Sequence, residues 1–520
     1  MSGALRKCFD AARPLLPDIL ALHEKWRGDK AAVICDNETL TWREFGRASN
    51  RVASGLRALG LKKGDAVVVA MENGLEMTAA LIGVLKAGCV SAPLNLTISD
   101  EALGMMIRDC GARTILASES QRERLAGLIS RDQDIHLVAL GESDSTWAGY
   151  HEWVERQSPE TPSVDIRPDD LLNIIYSSGT TGRPKGIVHT HQSRLDWAYD
   201  LSVALRYHGG ARTLCTLALY SNISWVMMLC TFLAGGTLIV TRKFDPAEFV
   251  EKTASLHATH TALVPVQLDR IVNCSAFSRA KVASLTAMMS CGSPLHEGLK
   301  KRIFESFSCG VIELYGLTEG VVTTLEPEDA EGRLSSVGKP LLGTDIKIIG
   351  DDDKPLPQGE AGEIVGAGRI IMPCYFNRPD ETEAAAWLDK NGRAWLRTGD
   401  IGKLDEEGFL YIVDRKKDLI LSGGQNIYPS DIEAVLLQHA NVNAVAVIAA
   451  PHEEWGETPF AVVEAIDGAS EAEIVAWANA RLGARQRIRS LKFIDALPRN
   501  PNGKILKREL RASLFPEHVL

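Results

Sequence analysis

The chain reads as an α/β protein. A large N-terminal domain is expected to hold two parallel-rich α/β subdomains plus a small β-rich subdomain, followed by a small mobile α+β C-terminal domain. Three observations predict this. Short apolar runs alternate with helical periodicities from Thr41 to Tyr315, the pattern of parallel sheets covered on both faces. Glycine and proline then thicken from Val337 to Gly368 while helical spacing fades. Strand and helix signals resume beyond Ser430. The domains are expected to span 1–416 and 417–520.

The first series opens on a capping box, with Glu44 three residues after Thr41. Phe45, Ala48, Val52, Leu56 and Leu59 follow at helical spacing until Gly60 stops the helix. Ala66 to Ala70 is a short apolar strand, and Leu75 to Ala87 a helix ending at Gly88. Strands recur at Thr114–Leu116 and His136–Leu140, and a polar stretch from Gly141 to Asp170 leads out. The second series places strands at Thr213–Leu219, Thr237–Thr241, Thr261–Val264, Leu285–Met289 and Val311–Tyr315, with a helix at Leu295–Phe307. The terminal unit reads helix Ser430–His439, strands Asn443–Ala450 and Phe460–Ala465, and helix Glu471–Leu482.

Composition narrows the function classes. With 520 residues, 45% of them hydrophobic, the chain can bury more than one core. A formal net charge of −10 argues against nucleic acid as a partner. Ten cysteines lie scattered without metal-ligand or disulfide spacing, which points to a reducing cytoplasm. No apolar run is long enough for an integral membrane segment, and the N-terminus lacks a signal core.

The most informative stretch is Tyr176-Ser177-Ser178-Gly179-Thr180-Thr181-Gly182-Arg183-Pro184-Lys185-Gly186. Small hydroxyl residues and glycines free backbone N–H and side-chain OH groups to face one anion, and Lys185 adds a positive charge. Polyphosphate is the matching ligand. A Walker A loop is excluded, because Gly186 and a β-forming run follow the lysine where that motif opens a helix. The loop is therefore expected to bridge two strands and to order around triphosphate.

This loop resembles the phosphate-binding signature of the acyl-adenylate-forming superfamily, which includes acyl-CoA synthetases, adenylation domains and luciferases. Further motifs follow in the family's order. Tyr315-Gly316-Leu317-Thr318-Glu319 sits after a strand, where open α/β sheets bind ligands. The resemblance implies that Tyr315 stacks on adenine, Thr318 bonds the α-phosphate and Glu319 holds Mg²⁺, with Glu313 and Gly316 part of the nucleotide site. Cys291-Gly292-Ser293-Pro294 matches the adenine-side segment, with Cys291 facing the acyl pocket. Asp400 suits the ribose hydroxyls by its two acceptor oxygens. Arg415 is expected on nucleotide hydroxyls or phosphate, Lys417 at a hinge, and Gly423, Gly424 and Gln425 along a pantetheine tunnel. Lys504, after Pro-Asn-Gly, is expected to bridge the substrate carboxylate and the α-phosphate.

The implied reaction joins a carboxylic acid to ATP with Mg²⁺ as cofactor, releases pyrophosphate, and passes the acyl group to coenzyme A. Catalysis would fall to Lys504, Thr318, Glu319 and Lys185. One departure stands out: Leu219-Tyr220-Ser221-Asn222 has serine where relatives commonly carry a pocket histidine. Tyr220, Ser221, Trp225 and Met227 are expected to line the acyl pocket. No cation occurs from Ile223 to Met228, which disfavours a dicarboxylate and favours an apolar monocarboxylic acid, a fatty acid over an aromatic one. Loading of a carrier protein, aryl-acid activation and a non-catalytic nucleotide-binding role remain alternatives, and a homodimer is compatible with the chain.

Overall fold

The computed structural model describes residues 14–129, 135–177, 184–422, 425–453, 455–466, 468–483, 486–499 and 503–516. Four sheets carry the architecture. The first has seven strands in the order Ala148–Gly149, His136–Ala139, Thr114–Ala117, Ala66–Ala70, Val90–Pro93, Leu171–Ser177 and Lys185–Thr190. All neighbours are parallel except the last pair. Its central strands are apolar on both faces because helices cover both, which is why Ala66–Ala70 is buried at every position.

The second sheet has nine strands. Its parallel centre runs through Ile312–Gly316, Ala287–Ser290, His260–Leu263, Arg212–Cys215, Thr237–Val240 and Ala31–Cys35. Here the structure departs from two consecutive α/β series. Ala31–Cys35, from the start of the chain, pairs in parallel with Thr237–Val240, with Val33 opposite Leu238. The two series therefore interlock. The polar stretch after Gly141 also holds an edge strand and the helix Tyr150–Glu155, whose Tyr150 and Trp153 are buried.

Helix Trp42–Ala58 starts at the expected box: Thr41 Oγ1 accepts from the Glu44 N–H, and Glu44 accepts from the Thr41 N–H at 2.9 Å. It packs on helix Leu75–Lys86, which is buried along its whole length. Apart from a half-buried Glu76 in its first turn, such a helix is apolar all round, and its buried cation is housed by neutral side chains. Lys86 Nζ donates to Asn50 Oδ1 at 2.7 Å and Ser49 Oγ at 2.9 Å.

The β-rich unit is a five-stranded sheet built from Thr344–Ile349, Gly362–Gly368, Ala394–Leu404, Ala386–Leu388 and Leu410–Arg415, all antiparallel. The C-terminal sheet joins Gln425–Ile427, Ile420–Ser422, Gly456–Ala465, Val442–His452 and Ser490–Phe493. It has cores of its own, one around Ile432, Leu436, Val447 and Ile474, another around Ile448, Leu497 and Leu510. Asp414 connects the two units: its Oδ2 accepts from the Ser430 N–H at 2.9 Å, and the Ser430 hydroxyl donates to the Val413 carbonyl. No described helix is long and apolar enough to cross a membrane.

Candidate active site

The ends of three sheets and the tip of the terminal unit meet at one place. Leu171–Ser177 and Lys185–Thr190 are antiparallel, with Ser177 opposite Lys185, so the glycine-rich loop joins two strands. Ser178, Gly179, Thr180, Thr181 and Gly182 themselves lie outside the described residues. Lys185 opens its strand, and its Nζ sits 5.0 Å from the centre of the Tyr375 ring. Tyr375 forms a bridge with Ile187 on the same strand and donates its hydroxyl to Glu319 Oε1 at 2.9 Å. Burial raises the Glu319 carboxyl above its ordinary value. Hydrogen bonds from its own backbone and from Tyr375, with the charges of Arg415 and Lys185, oppose that rise.

Gly320 makes the turn behind Glu319 possible. Its φ is +114°, and a Cβ there would collide with the Ile370 carbonyl. The close approach lets the Met372 N–H donate to the Glu319 carbonyl at 2.8 Å, tying the turn to the segment that carries Tyr375. Gly316, before the turn, ends its strand opposite Val322. The Thr318 backbone lies against the ring of the buried His189.

A second group centres on Asp400, which is 2% exposed. Tyr315 donates its hydroxyl to Asp400 Oδ2 at 2.7 Å, and Arg415 Nε lies 2.9 Å from Oδ1. Asp400 and Arg415 are direct cross-strand partners, which places the guanidinium beside the carboxylate without any loop to order. Burial and the neighbouring Asp400 charge push the Tyr315 phenol well above its ordinary value, so it stays a neutral donor.

Lys504 reaches this group from the far end of the chain. Gly503, with φ +80°, brings the tip against the N-terminal domain, where a Cβ at 503 would stand 3.2 Å from Val266 Cγ1. Burial, Arg415 and Lys417 lower the Lys504 ammonium to about 8, while Asp400 and Asp418 act in the opposite direction. Lys417 lies in the short turn Lys416–Asp418, and burial lowers it as well. Gln425 begins the strand paired with Ile420–Ser422; Gly423 and Gly424 lie outside the described residues.

In the segment expected on the adenine side, Cys291 directly follows the buried strand Ala287–Ser290, and its thiol is pushed up to about 12 by burial. Gly292 has φ +93° and, with Pro294, is exposed, while Ser293 is half-buried. Glu313, expected on the nucleotide, is instead in a buried ion pair with Lys300 and accepts from the Leu295 N–H at 3.4 Å. Its place is to hold the turn that carries Gly292, Ser293 and Pro294.

The acyl-side residues also need revision. Ser221 caps the helix Asn222–Ala234, accepting from the Ile223 N–H at 3.4 Å, so the serine does at this turn what serine does at helix starts. Trp225 and Met227 are buried inside that helix's core face, and Met227 borders a small cavity with Tyr207, His260 and Met289. Tyr220 is half-buried, its phenol pushed up to about 12 by burial. Residues 223–228 carry no cation, as read from the sequence, but Arg194, from the helix His191–Ala204, lies against Trp225 and donates to Asn222 Oδ1 at 2.8 Å. Tyr375, Lys300 and Arg194 carry no motif in the sequence; only the fold brings them here.

Comparison with known proteins agrees with this arrangement. The family model described as AMP-binding enzyme matches residues 22–376, and the model for the AMP-binding enzyme C-terminal domain matches residues 431–504. The chain is 33% identical over 482 residues to the long-chain-fatty-acid–CoA ligase FadD13 of Mycobacterium tuberculosis, covering 91% of this chain and 92% of that protein. It is 33% identical over 478 residues to feruloyl-CoA synthase of an Amycolatopsis species, covering 91% and 93%. Among solved structures, ATP-bound MatB from Rhodopseudomonas palustris superposes with a TM-score of 0.88 at 27% identity, covering 96% of this chain and 98% of that one.

Proposed function

We propose, for a chain that belongs to the AMP-binding enzyme family, ligation of a carboxylic acid to the thiol of coenzyme A through an acyl-adenylate. One observation carries the proposal: Tyr315, Asp400, Arg415 and Lys504, from four separated segments, converge on one carboxylate-centred group. A nucleotide's ribose needs an acceptor such as Asp400, and its α-phosphate needs a nearby ammonium such as Lys504.

In the first half-reaction a carboxylate oxygen attacks the α-phosphorus of ATP, and the bond to pyrophosphate breaks. Both reactants are anions, so the work of the protein is neutralisation and alignment. Lys504 supplies its ammonium between the two, Lys185 supplies one toward the outer phosphates, and Thr318 sits on the turn between Tyr315 and Glu319. Mg²⁺ fits this site: Glu319 offers a hard oxygen near Lys185, and the ion, shared with the phosphates, would neutralise their charge. In the second half-reaction the coenzyme A sulfur attacks the acyl carbon, AMP leaves, and the thiol proton passes to solvent.

Lys504 is needed in the first step and stands in the way of the second. We place the domain boundary at Lys417 and assign the terminal domain a rotation that withdraws Lys504 and presents the strand at Gln425. The acid is apolar in its body, in keeping with the buried Met227 and Trp225; a fatty acid is the first reading. An aryl acid is the second, favoured because feruloyl-CoA synthase matches this chain at the same identity and nearly the same span as the fatty-acid ligase. Pyrophosphate release with a panel of acids, with and without coenzyme A, tests the proposal. Acid-dependent pyrophosphate and a thioester only with coenzyme A are expected; ATP left intact with every acid would refute it.

A further inference from the structure

Arg194 is a fully buried cation, 1% exposed, and no carboxylate pairs with it among the described residues. Lys300 is matched by Glu313, Lys507 by Glu433 and Arg415 by Asp400, whereas Lys86, like Arg194, is held by neutral side chains, Asn50 and Ser49. A buried charge without a counter-ion is costly, and a side chain with such an environment is ordinarily neutralised or lost. What surrounds this one is a set of neutral dipoles and rings. Its Nε donates to Asn173 Oδ1 at 3.2 Å and its Nη2 to Asn222 Oδ1 at 2.8 Å, while the guanidinium lies 4.6 Å from the Trp197 ring centre and 5.6 Å from that of Trp225.

The neighbours are themselves incompletely satisfied. Asn173 Nδ2, Trp225 Nε1 and His189 Nε2 are buried and take no hydrogen-bond partner among the described residues. Asn173 and His189 are cross-strand partners on the stems of the glycine-rich hairpin, and Trp225 is on the helix capped by Ser221. Buried polar groups are nearly always paired, so several unpaired ones around a single unmatched guanidinium mark a place that something else completes. Asn173 Nδ2 and the Trp225 indole are unpaired donors beside a positive charge, so the complement is an oxygen-bearing acceptor, best an anionic one. His189 also lies against the Thr318 backbone, which puts this cluster next to the reacting centre rather than at a remote surface.

We propose that Arg194, with Asn173 and the Trp225 indole N–H, recognises a second oxygen-bearing group on the acid substrate, a carboxylate in the best case, and so selects acids that carry one over plain alkyl acids of the same length. This rests on the acid-activating function proposed above and narrows its apolar-bodied acid to one that carries a second oxygen-bearing group, against the sequence-based expectation of an acid without a second charge. Arg194 is a specificity residue; it touches the part of the acid that does not react.

The test compares matched pairs on the wild-type protein: butyrate with succinate, hexanoate with adipate, octanoate with suberate, and cinnamate with 4-hydroxycinnamate. Acid-dependent pyrophosphate release is read alongside calorimetric binding of each acid to the AMP-loaded protein, so that the preference is measured even where turnover is absent. The oxygen-bearing member of at least one pair is expected to bind and react about tenfold or more better, through KM. Arg194→Met is expected to erase that preference while the plain acid is kept, and Arg194→Lys to restore part of it. AMP binding by each variant controls for folding. Equal preference within every pair in the wild type overturns the proposal, as does an Arg194→Met loss of the same factor for both members. Loss of AMP binding in both variants, with no preference in the wild type, assigns the arginine to folding and overturns it as well. A wild type that binds the acids with the expected preference and consumes no ATP overturns the ligase function and leaves the recognition standing.

Discussion

The group around Asp400 and the group around Arg194 are built on opposite principles. Around Asp400 the charges are already matched: Tyr315 on one oxygen, Arg415 on the other, both delivered by strands. Around Arg194 they are not, and neutral side chains hold a bare guanidinium in place. A matched cluster is stable by itself and adapts to its ligand by sharing lone pairs. An unmatched one stores its electrostatic complement in the ligand. The difference fits a site in which the nucleotide is the same in every turnover and the acid is what must be chosen.

The largest effect is expected from removing the Lys504 ammonium beside Asp400 and Arg415. Lys504→Ala is expected to lower acid-dependent ATP–pyrophosphate exchange by about 10²–10³-fold or more, since it deletes a preorganised charge at the transferring phosphorus. Conversion of supplied acyl-AMP to thioester should be largely spared. Equal losses in both assays would show that Lys504 is structural. Next in size, Asp400→Ala leaves Tyr315 and Arg415 without their acceptor. AMP affinity by calorimetry should fall about tenfold to a hundredfold, the worth of one or two charge-assisted bonds, with the acid preference unmoved.

The pH response separates the halves further. The Lys504 ammonium, lowered to about 8, loses its proton as pH rises through that value, whereas a lysine released to solvent would titrate near 10.5. Between these values the undocked state holds more protons, so docking of the terminal domain is favoured as pH rises, while the charge it delivers disappears. Exchange should decline above about pH 8, and Lys504→Arg should move that decline upward or abolish it. The smallest effect is expected from Tyr375→Phe. It removes one hydrogen bond from Glu319, so the buried carboxyl titrates higher and exchange falls by about tenfold at most, with the loss largest at acid pH.

Much of this was legible in the chain because its signals are local. The capping box at Thr41 and Glu44, the apolar run Ala66–Ala70 and the hairpin stems on either side of the loop follow from neighbours in sequence. What could not be seen is what depends on partners far away. Nothing in Ala31–Cys35 says that it will join Thr237–Val240 in place of the sheet that follows it. Arg194 sits in the helix His191–Ala204, and nothing in its local sequence tells whether it will face solvent or two tryptophans. Glu313 looked like a ligand because the motif lies beside it; it sits on a strand, and the lysine that claims it, Lys300, sits on the helix Glu297–Ser306. Ser221 could have been found, since a serine directly before an apolar helical run is an N-terminal cap signal.

That cap has a consequence for how the protein senses its surroundings. With serine at the turn, the mouth of the acid side carries no imidazole there. His189, deeper in, is kept uncharged well below its ordinary range by burial and by Arg194. The guanidinium itself stays charged up to about 9. The Arg194 group thus keeps a constant ionic state through the neutral range, and on the proposals above a shift in acidity would leave substrate choice untouched while it alters turnover through Lys504. If so, discrimination and speed would be set by separate parts of the chain.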